Sequence, residues 1–377
     1  MPALEAKSSA PIHRATIWHA LAAFVLVRMA GLVALWVMAA IRHKSAHSVF
    51  FRWDAQWYRR IAENGYGYVT TSANGHRLSD YAFFPAQPIA ERTIHFLTNL
   101  SAVSAGLVVA AVASVFAATG IYRIASHVYD ARVAFFAVFL WASIPIGVVE
   151  SLSYSESLFT AFAAWSLFFL LKRKWLLAAT FSSLASFTRP IGLAVALAVI
   201  VTIFSIARRQ RERISREQLL AIALAPLGWI AYVIYVGVKT RSITGYFGVE
   251  SRWGNGFDGG RAFLRWCAHL LTGPTPLAGV AVVLAVALLM WLLVTCYRQE
   301  QPLPLLVYIL VLVALSLTTS GYFGSKPRYL LPGFPLLFPW ARYLERQKTK
   351  GKVVISVGLI MAGAGYGAFW LLGNGPL

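Results

Sequence analysis

IWHALAAFVLVRMAGLVALWVMAAI, residues 17–41, is the stretch on which the fold class turns. It is longer than the roughly 20 mostly apolar residues that a helix needs to cross a hydrocarbon core. One charge, Arg28, interrupts it near the middle. The stretch is too long for the apolar core of a signal peptide and no small-residue cleavage pattern closes it, so it reads as a retained first helix.

Outward from this segment the same composition continues. The chain has 377 residues, 58% of them hydrophobic and only 13% charged, where an average soluble domain is about one quarter charged. Mean hydropathy is +0.64. These values exclude a cytosolic enzyme, a disordered chain and a disulfide-rich secreted module. Further apolar runs lie at 103–122, 133–149, 155–171, 176–188, 191–207, 219–238, 277–296, 304–320, 330–340 and 353–372, which makes eleven candidate spans. Those at 176–188 and 330–340 are too short to cross alone and read as half-depth or broken helices, tolerated only where they line a protein cavity. The expectation is an all-α, polytopic integral membrane protein forming one transmembrane domain over 1–377, with amphipathic helices in a long first loop.

The net charge of +20 comes from 34 Lys and Arg against 14 Asp and Glu. No nucleic-acid-binding motif accompanies it, so no nucleic acid partner is expected; basic residues instead gather in cytoplasmic loops and at anionic headgroups. Lys172-Arg173-Lys174, the arginines between Arg208 and Arg216, the stretch Arg342–Lys352 and the N-terminal tail fall on one side, assigned to the cytoplasm. The other side receives the first extracytoplasmic loop, 42–102, the second, 239–275, and turns at 150–155, 189 and 321–329. Cys267 and Cys296 fall on opposite sides, against a disulfide. The eight scattered histidines form no ligand pattern with them, so no metal site is expected.

The outer side collects Asp54, Glu63, Asp80, Glu91, Glu150, Glu156, Glu250 and Asp258. FFRWDAQWYRRIAENGY, residues 50–66, read as a helix, puts Trp53, Trp57 and Arg60 on one face and Asp54 with Tyr58 on the next. Two readings stay open: an amphipathic helix on the membrane with Asp54 capping it, or a carboxylate at a cavity mouth beside rings suited to stacking on a sugar. DYAFFPAQP (80–88) has two prolines that fix an irregular backbone, and Glu150 with SYSESLF (153–159) puts acids at a span entrance. SFTRPIG (186–192) places Arg189 before a proline that biases it away from helix. GYFGSKPRYLLPGFP (321–335) places Lys326 and Arg328 at a break between helices. Such cations either snorkel to headgroups or, at a broken helix end, hold a phosphate.

These segments together resemble the PIG-V family, the GPI mannosyltransferase II type enzymes and their bacterial relatives, within the GT-C glycosyltransferase superfamily. The resemblance rests on Trp53-Asp54, Trp57-Tyr58, Ile61-Ala62, Gly65-Tyr66, Phe83-Phe84-Pro85 with Pro88, Ser153-Tyr154-Ser155-Glu156, Thr188-Arg189 with Gly192, and Arg328-Tyr329 before Pro332 and Pro335. The order and spacing agree from about residue 50 to 340. Two positions depart: Asp54 is followed by Ala55 rather than a second acid, and Gln87 stands where an aromatic or apolar residue is expected.

The resemblance implies a GT-C fold and a polyprenyl-phosphate sugar donor, with mannose as the sugar, used on the extracytoplasmic face of the plasma membrane (of the endoplasmic reticulum in a eukaryote). The acceptor is a glycolipid, glycan or protein; transfer is inverting and needs neither metal nor other cofactor. In that reading Asp54 is the catalytic base. Arg189, Lys326 and Arg328 bind the donor phosphate. Trp53, Trp57, Tyr58, Asp80, Tyr154 and Glu156 form the sugar and acceptor pocket. A flippase for lipid-linked sugars and a transferase using another sugar such as arabinose are the alternatives; crowding of the motifs on one face favours an enzyme.

The loop asymmetry makes a direct prediction. A reporter fused after residue 174 or 213 reads as cytoplasmic and one inserted in 42–102 as external; accessibility of 42–102 from the cytoplasm alone would reverse the orientation.

Overall fold

The computed structural model describes residues 14–72 and 75–373; the N-terminal tail assigned above to the cytoplasm lies outside them. Helices dominate, and every one of the eleven apolar runs carries helix. Five helices are long and apolar enough to cross a membrane: Ile17–Ile41, Ala102–Val128, Pro190–Gln210, Pro276–Arg298 and Thr349–Leu371. Three shorter apolar helices, Glu156–Leu171, Trp175–Ser186 and Leu303–Thr318, accompany them. Large apolar side chains such as Leu26, Met29, Val33 and Trp36 face outward from the first helix, as a lipid-facing surface requires.

Two expectations are corrected. The 133–149 run is not one straight span: it bends by 83° between Ala131–Ser143 and Pro145–Ser151. Pro145 lacks an N–H and forces Ile144 into extended backbone (φ −60°, ψ 139°), which ends the helix. The 219–238 run bends by 42° between Arg216–Leu224 and Leu227–Thr240, at Pro226. Hydropathy registers apolar length and is blind to such changes of direction. The architecture is all-α as expected, and the first loop carries one short antiparallel ladder, Val69–Thr71 against Arg77–Ser79, with Val69 opposite Ser79.

Small residues let the central helices approach closely. Ala117, Ala118, Ala161 and Ala164 are fully buried, and a side chain on Gly120 would meet Ala164 Cβ at 2.9 Å. In lipid, where apolar burial gives little drive, close contact of this kind holds helices together. Arg28 has one backbone partner in the bent segment: its guanidinium donates through Nη1 to the carbonyl of Gly147, just past the Pro145 bend, and lies against the rings of Phe24 and Trp141. The bend frees a backbone acceptor, and the arginine uses it.

The first loop folds onto the ends of these helices. Its Ala86–Thr98 helix packs on Ala102–Val128, where Gly106 clears space for Ser153 and Glu91. Glu91 is buried and accepts from Ser153 Oγ at 2.7 Å and from Gln87 Nε2 at 3.0 Å. Gln87, out of place by the family pattern, is therefore the partner of a buried acid.

Burial pushes Glu91 up to about 8, against those two donors. Between its ordinary 4.5 and about 8, the unfolded chain has lost a proton that the folded chain keeps. Stability therefore falls as pH rises through that window. Glu91→Gln, which keeps the shape, should melt higher than wild type at pH 8.5, with the gap closing toward pH 4.5. A gap independent of pH in detergent melting curves would show that Glu91 does not titrate there.

Candidate active site

The Asp54–Asn64 helix begins abruptly. Trp53, the residue before it, has φ +50°, a conformation an aromatic residue rarely adopts. No side chain caps this end. The Asp54 carboxylate turns across to another segment, where its Oδ2 lies 2.6 Å from Nη2 of Arg328. The carboxylate therefore does not cap its own helix; its charge serves a contact remote in the chain.

Arg328 belongs to the Lys326–Leu330 helix, set between the 3-10 turns Phe323–Ser325 and Phe334–Leu337. Its Nε lies 2.7 Å from Glu156 Oε1. Arg189 reaches the same oxygen, with Nη1 at 2.6 Å. Arg189 is extended (φ −154°, ψ 148°), as the residue before Pro190 should be. Gly192 permits this chain reversal: a side chain there would run into the backbone of Ser186 and Ala185. Arg189 also donates to Ser155 Oγ at 3.0 Å, and Tyr58 donates to that hydroxyl at 2.8 Å.

Two guanidiniums and two carboxylates thus meet in one cluster, formally neutral. The Glu156 side chain is 1% exposed and that of Arg328 9%, whereas Asp54 is 24% exposed. Burial works against the charge of Arg328, but Asp54 and Glu156 outweigh it and hold the guanidinium firmly protonated. The Tyr154 ring lies 5.2 Å from the Arg328 guanidinium and the Tyr329 ring 5.8 Å from that of Arg189.

Beside Asp54, Trp53 and Trp57 line an open cavity of about 370 Å³ with Arg52 and Gln56. Trp57 is fixed from behind: it stacks on Phe83 at 5.3 Å and meets Trp253 of the second loop edge-on at 5.0 Å. A larger cavity, about 520 Å³, lies at the opposite ends of the helices, lined by His127, Arg173, Arg342 and Arg346, far from these groups.

Of the residues expected to act together, Asp54, Tyr58, Tyr154, Glu156, Arg189 and Arg328 form the cluster, with Trp53 and Trp57 at its edge. Two do not join it. Asp80 is fully buried and accepts from the backbone N–H groups of Gly67 (3.0 Å) and Tyr68 (2.9 Å), clasping the loop rather than facing a sugar. Lys326 donates to the carbonyl of Thr319 at 2.5 Å and to its hydroxyl at 3.2 Å. Residues two apart on a helix point in different directions, so Lys326 and Arg328 do not share a target. Burial lowers Lys326 to about 8, with Asp258 opposing. Ser155 carries no role in the sequence reading, yet it joins Tyr58 to Arg189; its one signal is its place beside Glu156 in SYSESLF.

The sequence matches no family model and no curated protein. Its fold does match solved structures. ArnT from Cupriavidus metallidurans bound to undecaprenyl phosphate superposes with a TM-score of 0.55 at 16% identity, over 90% of this chain and 63% of that one. The same protein in the apo state gives 0.51 at 16% identity, over 87% and 63%. The Archaeoglobus fulgidus oligosaccharyltransferase in the apo form gives 0.51 at 13% identity, over 94% and 55%. The chain therefore has the polytopic helical fold of the GT-C membrane glycosyltransferases. It spans under two thirds of the length of those proteins.

The geometry predicts how the cluster fails. Glu156→Gln leaves two guanidiniums facing each other without their buried anion. Breaking a buried pair in this way costs about 3–5 kcal/mol, so the variant should melt well below wild type in detergent. The double variant Glu156→Gln with Arg189→Gln removes one stranded charge and should recover part of the loss; a single variant as stable as wild type would show that Glu156 does not hold the cluster.

Proposed function

We propose that this chain is an integral-membrane glycosyltransferase that moves a sugar from a polyprenyl-phosphate donor to an acceptor hydroxyl. The observation that carries the reading is a partly exposed carboxylate, Asp54, next to two guanidiniums that share one buried carboxylate, beside a tryptophan-lined cavity. A carboxylate so placed can accept a proton, and paired guanidiniums match phosphate oxygens. The fold-level likeness to ArnT bound to undecaprenyl phosphate supports a lipid-phosphate donor by analogy.

Asp54 takes the proton of the acceptor hydroxyl as that oxygen forms a bond to the anomeric carbon. The bond from that carbon to the phosphate oxygen breaks, and polyprenyl phosphate leaves with the electron pair. Attack opposite the leaving group inverts the anomeric centre. Charge grows on the leaving phosphate, so Arg328 and Arg189 favour the transition state more than the ground state. Tyr58 and Ser155 hold Arg189 in place, and Trp53 and Trp57 offer ring faces to the sugar. No metal or other cofactor takes part in these steps.

The finer reading is a PIG-V-like mannosyltransferase at the plasma membrane, working on the extracytoplasmic face on a glycolipid, glycan or protein acceptor. Its support is the ordered motif set, from Trp53-Asp54 to Arg328-Tyr329, and the basic loops that set the orientation.

The test is transfer by the purified protein from a short-chain polyprenyl-phosphate mannose to a panel of acceptors. Asp54→Asn should lower kcat by about 10²–10⁴ while the protein stays folded, the usual contribution of a positioned base. Arg328→Lys should raise the donor KM or lower kcat, because a point charge replaces a two-pronged contact. Wild-type turnover in Asp54→Asn would remove Asp54 as the base.

A further inference from the structure

Resting on that reading, we infer that Asp54 occupies the phosphate-binding edge of Arg328 until the donor displaces it, so that donor binding is what releases the base. Arg328 has two carboxylate partners, Glu156 at Nε and Asp54 at Nη2. Either bidentate edge of a guanidinium, side-on or end-on, includes Nη2. A phosphate that takes the fork therefore meets Asp54 at that nitrogen, and two anions on one nitrogen repel.

The two carboxylates are not equally free to leave. Glu156 is buried and held by two cations, Arg328 and Arg189. Leaving would strand Arg189 and leave Arg328 with Asp54 alone, the costly event in a buried pair. Asp54 has a single ion-pair partner, Arg328, among the described residues and is the more exposed of the two carboxylates. Asp54 is thus the exchangeable partner and Glu156 the fixed one, a positioning residue that keeps both guanidiniums aimed at the same place.

Charge supports the same order. The cluster holds two positive and two negative side chains. A phosphodiester donor adds one negative charge, which Nη2 of Arg328 takes up as Asp54 leaves it. The acceptor hydroxyl supplies a proton to Asp54 in the transfer step. Asp54 then carries it as a neutral acid and returns to Arg328 only after losing it, which ties resetting of the site to proton release. The groups facing Asp54 throughout are Arg328 and Tyr329 from one segment, Glu156 and Tyr154 from another, Arg189 behind them, and Tyr58 on its own helix.

The experiment measures binding of a short-chain polyprenyl phosphate to the detergent-solubilised full chain by calorimetry. Wild type is compared with Asp54→Asn, Asp54→Ser and Glu156→Gln. Removing the competitor should tighten binding on the order of tenfold in both Asp54 variants, the weight of one charge-assisted hydrogen bond. The same Asp54→Asn protein should be nearly inactive, so affinity and turnover move in opposite directions. Glu156→Gln should bind more weakly. Equal or weaker binding in both folded Asp54 variants, with wild type binding normally, overturns the displacement and leaves the donor class standing. No binding by wild type or any variant overturns the donor class and the displacement together.

Discussion

One carboxylate oxygen, Oε1 of Glu156, lies within 2.7 Å of two guanidinium nitrogens. Around it the rest of the site is arranged. Two arginines side by side and out of water would repel each other, and neither would stay without an anion of matching burial. Glu156 opens a helix, so its charge also sits favourably at the positive end of the helix dipole. The contact joins segments that are remote in the chain: the start of the Glu156–Leu171 helix, the extended Arg189, and the short helix carrying Arg328. Through Arg328 it also reaches Asp54 in the first loop.

Prolines make that convergence possible. Pro145 turns one span by 83° so that the chain enters the Glu156 helix from within the protein. Pro190 keeps Arg189 extended between two helical segments, and Pro327 sits in the first turn of the short Arg328 helix. Continuous helices through these points would carry the charged side chains along cylinder faces toward lipid. Broken ends instead aim them inward, in the one setting where irregular backbone at membrane depth is tolerated.

Much of this was legible in the sequence, for identifiable reasons. Apolar length marks spans directly, so the helices of the bundle are found where the runs lie. The X-Pro rule predicts the extended Arg189, and the Trp, Tyr and Asp spacing predicts the Asp54 helix. What was not legible is partnership. Asp80 and Asp54 look alike as loop acids, but backbone N–H groups of Gly67 and Tyr68 claim the first and a distant arginine the second. Lys326 and Arg328 look alike as a basic pair, until helical geometry turns them apart. Gln87 looked like a departure until Glu91 was seen beside it. The Asp54 contact joins residues far apart in the chain, which composition and spacing do not encode; the Gln87–Glu91 pair, four apart on one helix, and the divergence of Lys326 and Arg328 follow from spacing only once the helices that carry them are known.

Arg28 carries a consequence for how the protein is made. Its backbone partner, the Gly147 carbonyl, lies more than a hundred residues later in the chain. A central arginine raises the cost of inserting a helix by about 2.5–3.5 kcal/mol on translocon scales. The strongly apolar remainder of the segment offsets that cost enough for entry, but the guanidinium waits for its acceptor. During synthesis Arg28 therefore lacks this acceptor until the chain has grown more than a hundred residues beyond it. The contact that seats the arginine thus closes only once the segment bent at Pro145 is in place, which makes the first helix and that segment partners in assembly rather than independently finished spans.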